Sequence, residues 1–184
     1  MSELTRERLV ELLTYDPMSG IFRNRKPLHG RRRAGSVAGT IKQDGYVRIV
    51  IDSHSYPAHS LAWLYVHGTF PPLDLDHINR NPGDNRIVNL RPASQSQNQA
   101  NRGYNRNNST GYRGVTFHKA LGKFQASIRV GYKPIHLGTF ETAEDAGRAA
   151  EDARAKFFGP FAAQYNDTDR KALLVPGAKI RENA

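Results

Sequence analysis

Residues 73 to 102 read LDLDHINRNPGDNRIVNLRPASQSQNQANR: an aspartate beside a histidine, then a loop crowded with asparagines, then a second run of amides. Asp76 offers a hard anionic oxygen. His77 offers an imidazole whose ordinary pKa near 6.5 leaves it mostly neutral and basic at cellular pH. The amides add neutral oxygens. Such groups suit three kinds of polar work: holding a loop, ligating a cation, or touching a nucleic acid. The chain has no cysteine, which excludes disulfides and thiolate zinc sites. Any metal must therefore be held by oxygen or imidazole, and hard cations become the natural candidates.

The elements that would position these groups follow from local pattern. Leu73 to His77 reads as a short strand, Ile78 to Val88 as a loop with a Pro82-Gly83 turn, Asn89 to Ala93 as a returning strand, and Ser94 to Arg102 as a helix. Asp76 and His77, adjacent on a strand, then point to opposite sides, and an amide on the helix can approach one of them. Asn98, in the middle of that helix, is the first candidate, with Asn101, Gln95 and Gln97 as alternatives. A plainer reading stays open on these residues alone. His77 is then a histidine at a strand end, Asp76 a turn acceptor or the ion-pair partner of Arg80, and Asn89 a structural amide. Upstream, residues 3 to 13 form one apolar stripe of a short helix behind Ser2 as cap, and Tyr15 to Gly20 a turn. Gly45 to Ile51 is β-rich and leads through Ser53 to Ser55 to Tyr56 as a hairpin, and His59 to His67 is an apolar helix whose aromatic residues are core.

Charge narrows the partner. Lys and Arg number 27 against 17 Asp and Glu, a formal net charge of +10. No acidic residue occurs from Asn85 to Phe140, and a second acid-free stretch from Pro17 to Gln43 holds Arg23, Arg25, Lys26 and the triplet Arg31, Arg32, Arg33. Fields of this sign and extent favour polyanions. No stretch approaches the roughly 20 apolar residues of a membrane-spanning helix, and the N-terminus is too charged for a secretory signal, so the reading is a soluble protein of the cytoplasm.

RGYNRNNST, from Arg102 to Thr110, lacks apolar periodicity and reads as a linker. Beyond it the period changes to that of a half-buried antiparallel strand. Phe124, Ala126 and Ile128 alternate with outward Lys123, Gln125, Ser127 and Arg129, and a strand on each side completes a three-stranded sheet. Thr142 caps a helix carrying Ala146, Ala149, Ala150, Ala153 and Phe157, small enough on one face to lie close on the sheet. Gly147 costs that helix roughly 1 kcal/mol relative to alanine, and Gly159-Pro160 ends it.

DHINRNPGDNRIVNL followed by SQSQN resembles the His-Asn-His (HNH) endonuclease motif in the form found in phage and intron-borne homing nucleases, with asparagine in place of the last histidine. DGYVRIVIDSHSYPAHSLAWLYVHG resembles the hairpin and helix of that family, including the His59 that opens the helix. The likeness covers roughly residues 15 to 102. It implies that His77 is the general base drawing a proton from water, that Asp76 and Asn98 ligate one Mg²⁺ or Mn²⁺, and that Asn89 pins the loop. It further implies 5′-phosphate and 3′-hydroxyl products and, for a monomer, the nicking of one strand. The family more often has glycine where this chain has Arg80, a departure that touches loop conformation rather than chemistry.

Residues 111 to 166 resemble the APETALA-type DNA-binding domain of ethylene-response transcription factors, a likeness carried by Tyr112-Arg113-Gly114-Val115, Leu137-Gly138-Thr139-Phe140 and Asn166. Such domains lay the exposed face of a three-stranded sheet in the major groove of duplex DNA. Arg113 and Arg129 are then the candidates for guanine contacts. Thr116, His118 and His136 lie on or beside the same face, with Lys119, Lys123 and Lys133 suited to phosphates. The plant pattern has arginines and tryptophans at several of these positions, so its base preference does not transfer.

The expectation is an α+β chain: an N-terminal helix (1–14), a ββα-metal (His-Me finger) nuclease module (15–102), a linker (103–110), a three-stranded antiparallel sheet packed on one helix (111–166), and a tail (167–184). It would cut duplex DNA with one divalent cation and no small-molecule cofactor, as a monomer in a bacterial or phage-infected cell. Cutting and holding would divide at the linker, leaving residues 1 to 110 a slow metal-dependent nuclease. The alternative is a DNA-binding transcriptional regulator whose first module is inactive. An RNA-binding protein is disfavoured because the outward strand positions lack stacking aromatics.

Overall fold

The computed structural model describes residues 4–27, 33–103 and 108–163. Ser2, Arg31, Arg32, Asn166, part of the 103–110 linker and the 167–184 tail, all used in the expectations above, lie outside the described residues. The chain divides into two compact units, Met1–Gln95 and Ser96–Ala184. Both mix helices with small antiparallel sheets.

The first unit opens with α1 (Arg6–Leu12), whose cap is Thr5: its hydroxyl accepts a hydrogen bond from the Arg8 amide at 3.2 Å, in a first turn that also carries Glu7. The helix stops at Leu13, where the chain turns extended and enters a hairpin of β1 (Leu13–Asp16) and β2 (Ile21–Asn24). A three-stranded sheet follows, with β3 (Thr40–Ile41), β4 (Val47–Ile51) and β5 (His54–Pro57) in chain order. The β4–β5 turn falls at Asp52 and Ser53, both with positive φ (46° and 67°), one residue ahead of where composition placed it. That is the geometry of a tight two-residue hairpin turn.

Next, α2 (Ala58–His67) buries Ala58, Leu61, Ala62 and Leu64, and Gly68 ends it in the left-handed conformation (φ 83°), its N–H bonded to the Leu64 carbonyl at 2.9 Å. Leu9 of α1, Leu13 and Tyr15 of β1, Phe22 of β2, Ile49 and Ile51 of β4, and Leu61 and Leu64 of α2 form one core. The tyrosine ring sits 4.8 Å from that of Phe22, and Tyr65 packs beside both. Trp63, by contrast, is only half-buried and stacks on His67 at 4.0 Å. After α2 come β6 (Asp74–His77) and its antiparallel partner β7 (Leu90–Ala93), joined by the asparagine-rich loop.

The second unit takes in nearly all of α3 (Gln95–Ala100), so the division falls N-terminal to the linker expected from composition. Its sheet has β9 (Lys123–Val130) in the centre, flanked by β8 (Val115–His118) and β10 (Lys133–Phe140), all antiparallel. Behind it lies α4 (Ala143–Phe158), capped by Thr142, whose hydroxyl accepts from the Asp145 amide at 3.1 Å. Ala146 and Ala150 are fully buried against Val115 and Ala126. Gly147 is explained by Tyr112: a Cβ at position 147 would fall 2.6 Å from the ring Cγ, so the glycine admits the ring against the helix. No helix among the described residues is long and apolar enough to cross a membrane.

Candidate active site and nucleic-acid face

The loop from Ile78 to Asn89 is built on side-chain amides standing in for backbone partners. Asn89, buried at the end of a 3-10 turn (Ile87–Asn89), accepts from the Asn79 amide through Oδ1 at 3.0 Å. Its Nδ2 donates to Asn79 Oδ1 at 3.0 Å and to the Asp84 carbonyl at 2.8 Å. Asn79 Nδ2 in turn reaches Asp84 Oδ2 at 2.7 Å, and Asn81 Oδ1 takes the Gly83 amide at 3.0 Å. Arg86 binds Asp84 through Nε (2.8 Å) and Nη2 (2.6 Å), and that guanidinium holds the Asp84 carboxyl down to about 2. Arg80 sits in the left-handed region (φ 64°), so the backbone takes here the conformation that favours the family's glycine. The β1–β2 hairpin closes on the other end of the loop. Tyr15 donates its hydroxyl to the Asn85 carbonyl at 2.8 Å, and Gly20 (φ 73°) approaches so near that a Cβ would fall 2.6 Å from the Asn85 carbonyl carbon.

This scaffold fixes the end of β6, where Asp76 and His77 are both buried, 7% and 5% exposed. Asp76 lies directly across from Arg91 on β7, and Arg91 brings Nε (2.8 Å) and Nη2 (2.7 Å) to the single oxygen Oδ2. The plainer reading of the sequence paired Asp76 with Arg80; strand register places Arg91 directly opposite it. The imidazole of His77 lies edge-on to His59 (5.2 Å between centroids, 89°) and to Tyr46 (5.8 Å, 66°). Its Nε2 is 3.5 Å from Asn85 Oδ1, a long contact, while Asn85 Nδ2 is committed to the Gly83 carbonyl at 3.1 Å. Burial lowers the His77 pKa, with Asn85, Asp76 and Asp84 opposing. His59 opens α2, and burial, His77 and Arg48 together push it down to about 4.

Asn98 is on α3 in the second unit, and its buried Oδ1 has no hydrogen-bond partner among the described residues. A buried oxygen left so costs about 1–3 kcal/mol unless something else satisfies it. An amide oxygen of this kind suits a hard divalent cation. No group of three or more His, Asp or Glu placed to hold a metal occurs among the described residues.

Sequence reasoning assigned no role to Asn85, Tyr46 or Arg91, which touch His77 or Asp76. The signal for Arg91 was its register opposite Asp76, legible once the two strands were drawn. Asn85 stood in the quoted loop, eight residues after His77, and nothing local marks it from its neighbours.

In the second unit, strand register places the expected contact residues on one face. Thr116 lies opposite Gln125, His118 opposite Lys123, and Ser127 opposite His136, with Arg129 next along β9. Thr116, His118, Ser127, Arg129 and His136 are exposed, Lys123 and Gln125 half-buried. Phe124, Ala126 and Ile128 take the other face, toward α4. Lys123 also pairs with Glu141 at 2.6 Å, just past the acid-free stretch. Arg113 departs from the expectation. Its guanidinium binds backbone carbonyls of Gln99, Ala100 and Arg102 at the end of α3 rather than standing on the outer face. The physical reason is that Gln99 and Ala100 close α3, where carbonyls lose their i+4 donors; besides Arg113, the Gln99 carbonyl takes the Arg102 amide at 3.3 Å.

Comparison with known proteins yields two separate likenesses. The model of the HNH endonuclease family matches residues 56–100. Over the C-terminal region the chain is similar to plant proteins. It is 40% identical over 70 residues to the AP2-like ethylene-responsive transcription factor TOE2 of Arabidopsis thaliana, covering 38% of this chain and 14% of that one. To PLT2, another AP2-like ethylene-responsive transcription factor of Arabidopsis thaliana, it is 47% identical over 68 residues, 34% of this chain and 12% of that one. To APETALA2-like protein 2 of Oryza sativa subsp. indica it is 43% identical over 54 residues, 29% and 12%. The chain thus spans only a small part of the length of these relatives. No solved structure matches it.

Proposed function

From an HNH module and an AP2-type DNA-binding domain supported on one chain, we propose a metal-dependent DNA endonuclease that cuts with the first and holds the duplex with the sheet of the second. The observation that carries the reading is the buried Asp76-His77 pair at the end of β6, beside a loop whose amides leave it little freedom. Burying a carboxylate and an imidazole side by side costs stability, and catalysis is a use that would offset it.

In this reading Asp76 and Asn98 hold one Mg²⁺ or Mn²⁺ in a ββα-metal arrangement. The Arg91 pair on Oδ2 orients Asp76. When bound, the ion would stabilise negative charge on the phosphate and the leaving oxygen. His77 is the general base. Asn85 Oδ1 lies 3.5 Å from Nε2 and Asn85 Nδ2 is committed to the Gly83 carbonyl, which orients the ring. A water proton passes to the His77 imidazole, the water oxygen bonds to phosphorus, the P–O3′ bond breaks, and the departing O3′ takes a proton from solvent, leaving 5′-phosphate and 3′-hydroxyl ends. Burial keeps the imidazole neutral at cellular pH, as a base requires. Asn89 contributes by fixing the loop. Lys123, Gln125, Ser127, Arg129, Thr116, His118 and His136 would meet the duplex, with Arg129 the residue able to bond guanine O6 and N7 together.

Supercoiled plasmid tests this. The protein should produce nicked circles in Mg²⁺ or Mn²⁺, and His77→Ala and His77→Gln should slow nicking by about 10²–10⁴-fold while duplex affinity in EDTA stays unchanged. A wild-type protein that binds duplex yet never nicks it would instead be a DNA-binding regulator.

A further inference from the structure

Arg113 was expected to read a base, and the structure gives its guanidinium other work. Its Nη1 donates to the carbonyls of Ala100 (2.8 Å) and Arg102 (2.7 Å), and its Nη2 to that of Gln99. Gln99 and Ala100 close the last turn of α3, where carbonyls lose their i+4 donors and the helix dipole is negative, and the Gln99 carbonyl also takes the Arg102 amide at 3.3 Å. Arg113 is itself fixed. Its carbonyl accepts from Nη1 of the buried Arg154 on α4 at 2.9 Å, and the next residue, Gly114, accepts from the Ser127 amide of β9 at 2.8 Å. The Ala163 amide, beyond α4, reaches the Ala100 carbonyl at 3.4 Å.

At six residues, α3 is too short to persist on its own propensity, so its geometry depends on what grips its ends. Asn98, whose buried Oδ1 has no hydrogen-bond partner among the described residues, directly precedes Gln99, whose carbonyl Arg113 binds. We infer that Arg113 is a positioning residue for Asn98, holding the helix that carries this metal ligand to the sheet and α4 of the DNA-binding module. The inference rests on the metal-site reading above. The linker expected from sequence put Asn98 with the first module, whereas the bonds of Arg113 tie its helix to the second unit.

The test uses the full chain. Mn²⁺ affinity is measured by electron paramagnetic resonance of the free ion, and duplex preference by fluorescence anisotropy in EDTA, for wild type, Arg113→Met, Arg113→Lys and Asn98→Ala. Loss of a group that orients a ligand weakens metal binding by about 10–100-fold. Arg113→Met should fall in that range and Arg113→Lys, which keeps the charge but not the fork, should fall less, with both retaining the EDTA preference among duplexes. Should Arg113→Met fail to fold, Arg113→Lys carries the same comparison. Unchanged Mn²⁺ affinity in the Arg113 variants overturns the inference. If duplex preference is lost at the same time, Arg113 is a base reader after all; if only melting temperature drops, its role is structural. Asn98→Ala with wild-type Mn²⁺ affinity would remove the ligand assignment and this inference together, through a different variant from those that remove the inference alone.

Discussion

The loop between β6 and β7 and the outer face of the β8–β10 sheet both gather polar side chains, and they hold them in opposite ways. In the loop, Asn79, Asp84 and Asn89 bind one another and the backbone, and Asp76 and His77 beside them are buried. On the sheet, Thr116, His118, Ser127, Arg129 and His136 stand exposed on a frame set by strand register. Chemistry on a phosphodiester needs groups held to a fraction of an ångström, which only a packed and hydrogen-bonded surround provides. Gripping a polyanion needs charge at the surface and tolerates side-chain freedom, since much of the free energy comes from released counterions. Substitutions in the loop should therefore act on stability and rate, whereas those on the sheet should act on affinity alone.

The largest effect on stability should come from Asn89→Ala. It deletes three hydrogen bonds and strands the Asn79 amide and the Asp84 carbonyl. A loss of roughly 3 kcal/mol is expected from unsatisfied buried groups, read as a lower urea midpoint, together with slower nicking. Asn89→Asp keeps the acceptor and should recover part of it. A midpoint unmoved by Asn89→Ala would mean that the loop is not stapled as described.

Acid should expose the same contrast. His59 titrates at about 4 in the folded protein, below its ordinary 6.5, because it is buried and faces His77 and Arg48. The unfolded chain therefore takes up the proton first. The contribution of His59 is complete above about pH 6.5 and fades as pH falls toward 4, by roughly 3 kcal/mol in all. His77, shifted in the same direction, adds to the loss in that window. Asp84, held down by Arg86, withdraws its contribution only below about pH 4. Urea midpoints between pH 7.5 and 4 should decline steeply for wild type and more gently for His59→Gln. Parallel slopes for the two proteins would place the acid sensitivity elsewhere.

On the sheet the expected changes are smaller and of two kinds. Arg129→Ala should cost about 1–3 kcal/mol at the preferred sequence and relax the choice at one base pair. Lys119→Ala should weaken all duplexes alike and lower the salt slope by about 1. Selection from a random duplex pool separates them: the motif recovered by Lys119→Ala should equal the wild-type one, and that of Arg129→Ala should lose one position. If both variants return the wild-type motif, base reading lies off this face.

What the sequence made legible was whatever depends on period and register. The alternation of Phe124, Ala126 and Ile128 with Lys123, Gln125, Ser127 and Arg129 fixes two faces wherever β9 pairs, and the structure keeps that partition. The cap at Thr142 and the stop at Gly159 are equally local. Partner choice was not legible, because it is settled by what the fold brings near. The hydrogen bonds of Arg113 reach 11 to 14 residues back along the chain. The Tyr15 bond to Asn85 spans 70 residues. Gly147 read as a weak point of α4 until Tyr112 was seen to need the space. For the candidate site, Asp76, His77, Asn89 and Asn98 stood out by residue type and order and Arg91 by its register opposite Asp76, whereas Asn85 and Tyr46, which adjoin His77, carry no mark in the linear sequence.

Arg80 offers the finest probe of the comparison. Its φ of 64° is a conformation that costs a side-chain-bearing residue about 1–2 kcal/mol, and here it is imposed by neighbours. The Arg80 amide is bonded to the His77 carbonyl at 2.8 Å, and Asn79 and Asn81 on either side are held by loop amides. If those bonds rather than residue 80 dictate the loop, Arg80→Gly relieves the strain, adds about 0.5–1 kcal/mol of unfolded-state entropy, and gives up the contacts of the guanidinium. The terms nearly cancel, so the urea midpoint should move by less than the equivalent of about 1 kcal/mol, and the nicking rate should be retained. A large loss of stability would mean that the arginine side chain, not the amide network, holds the turn, and the loop would then resemble the sheet face more closely than the hydrogen bonds suggest.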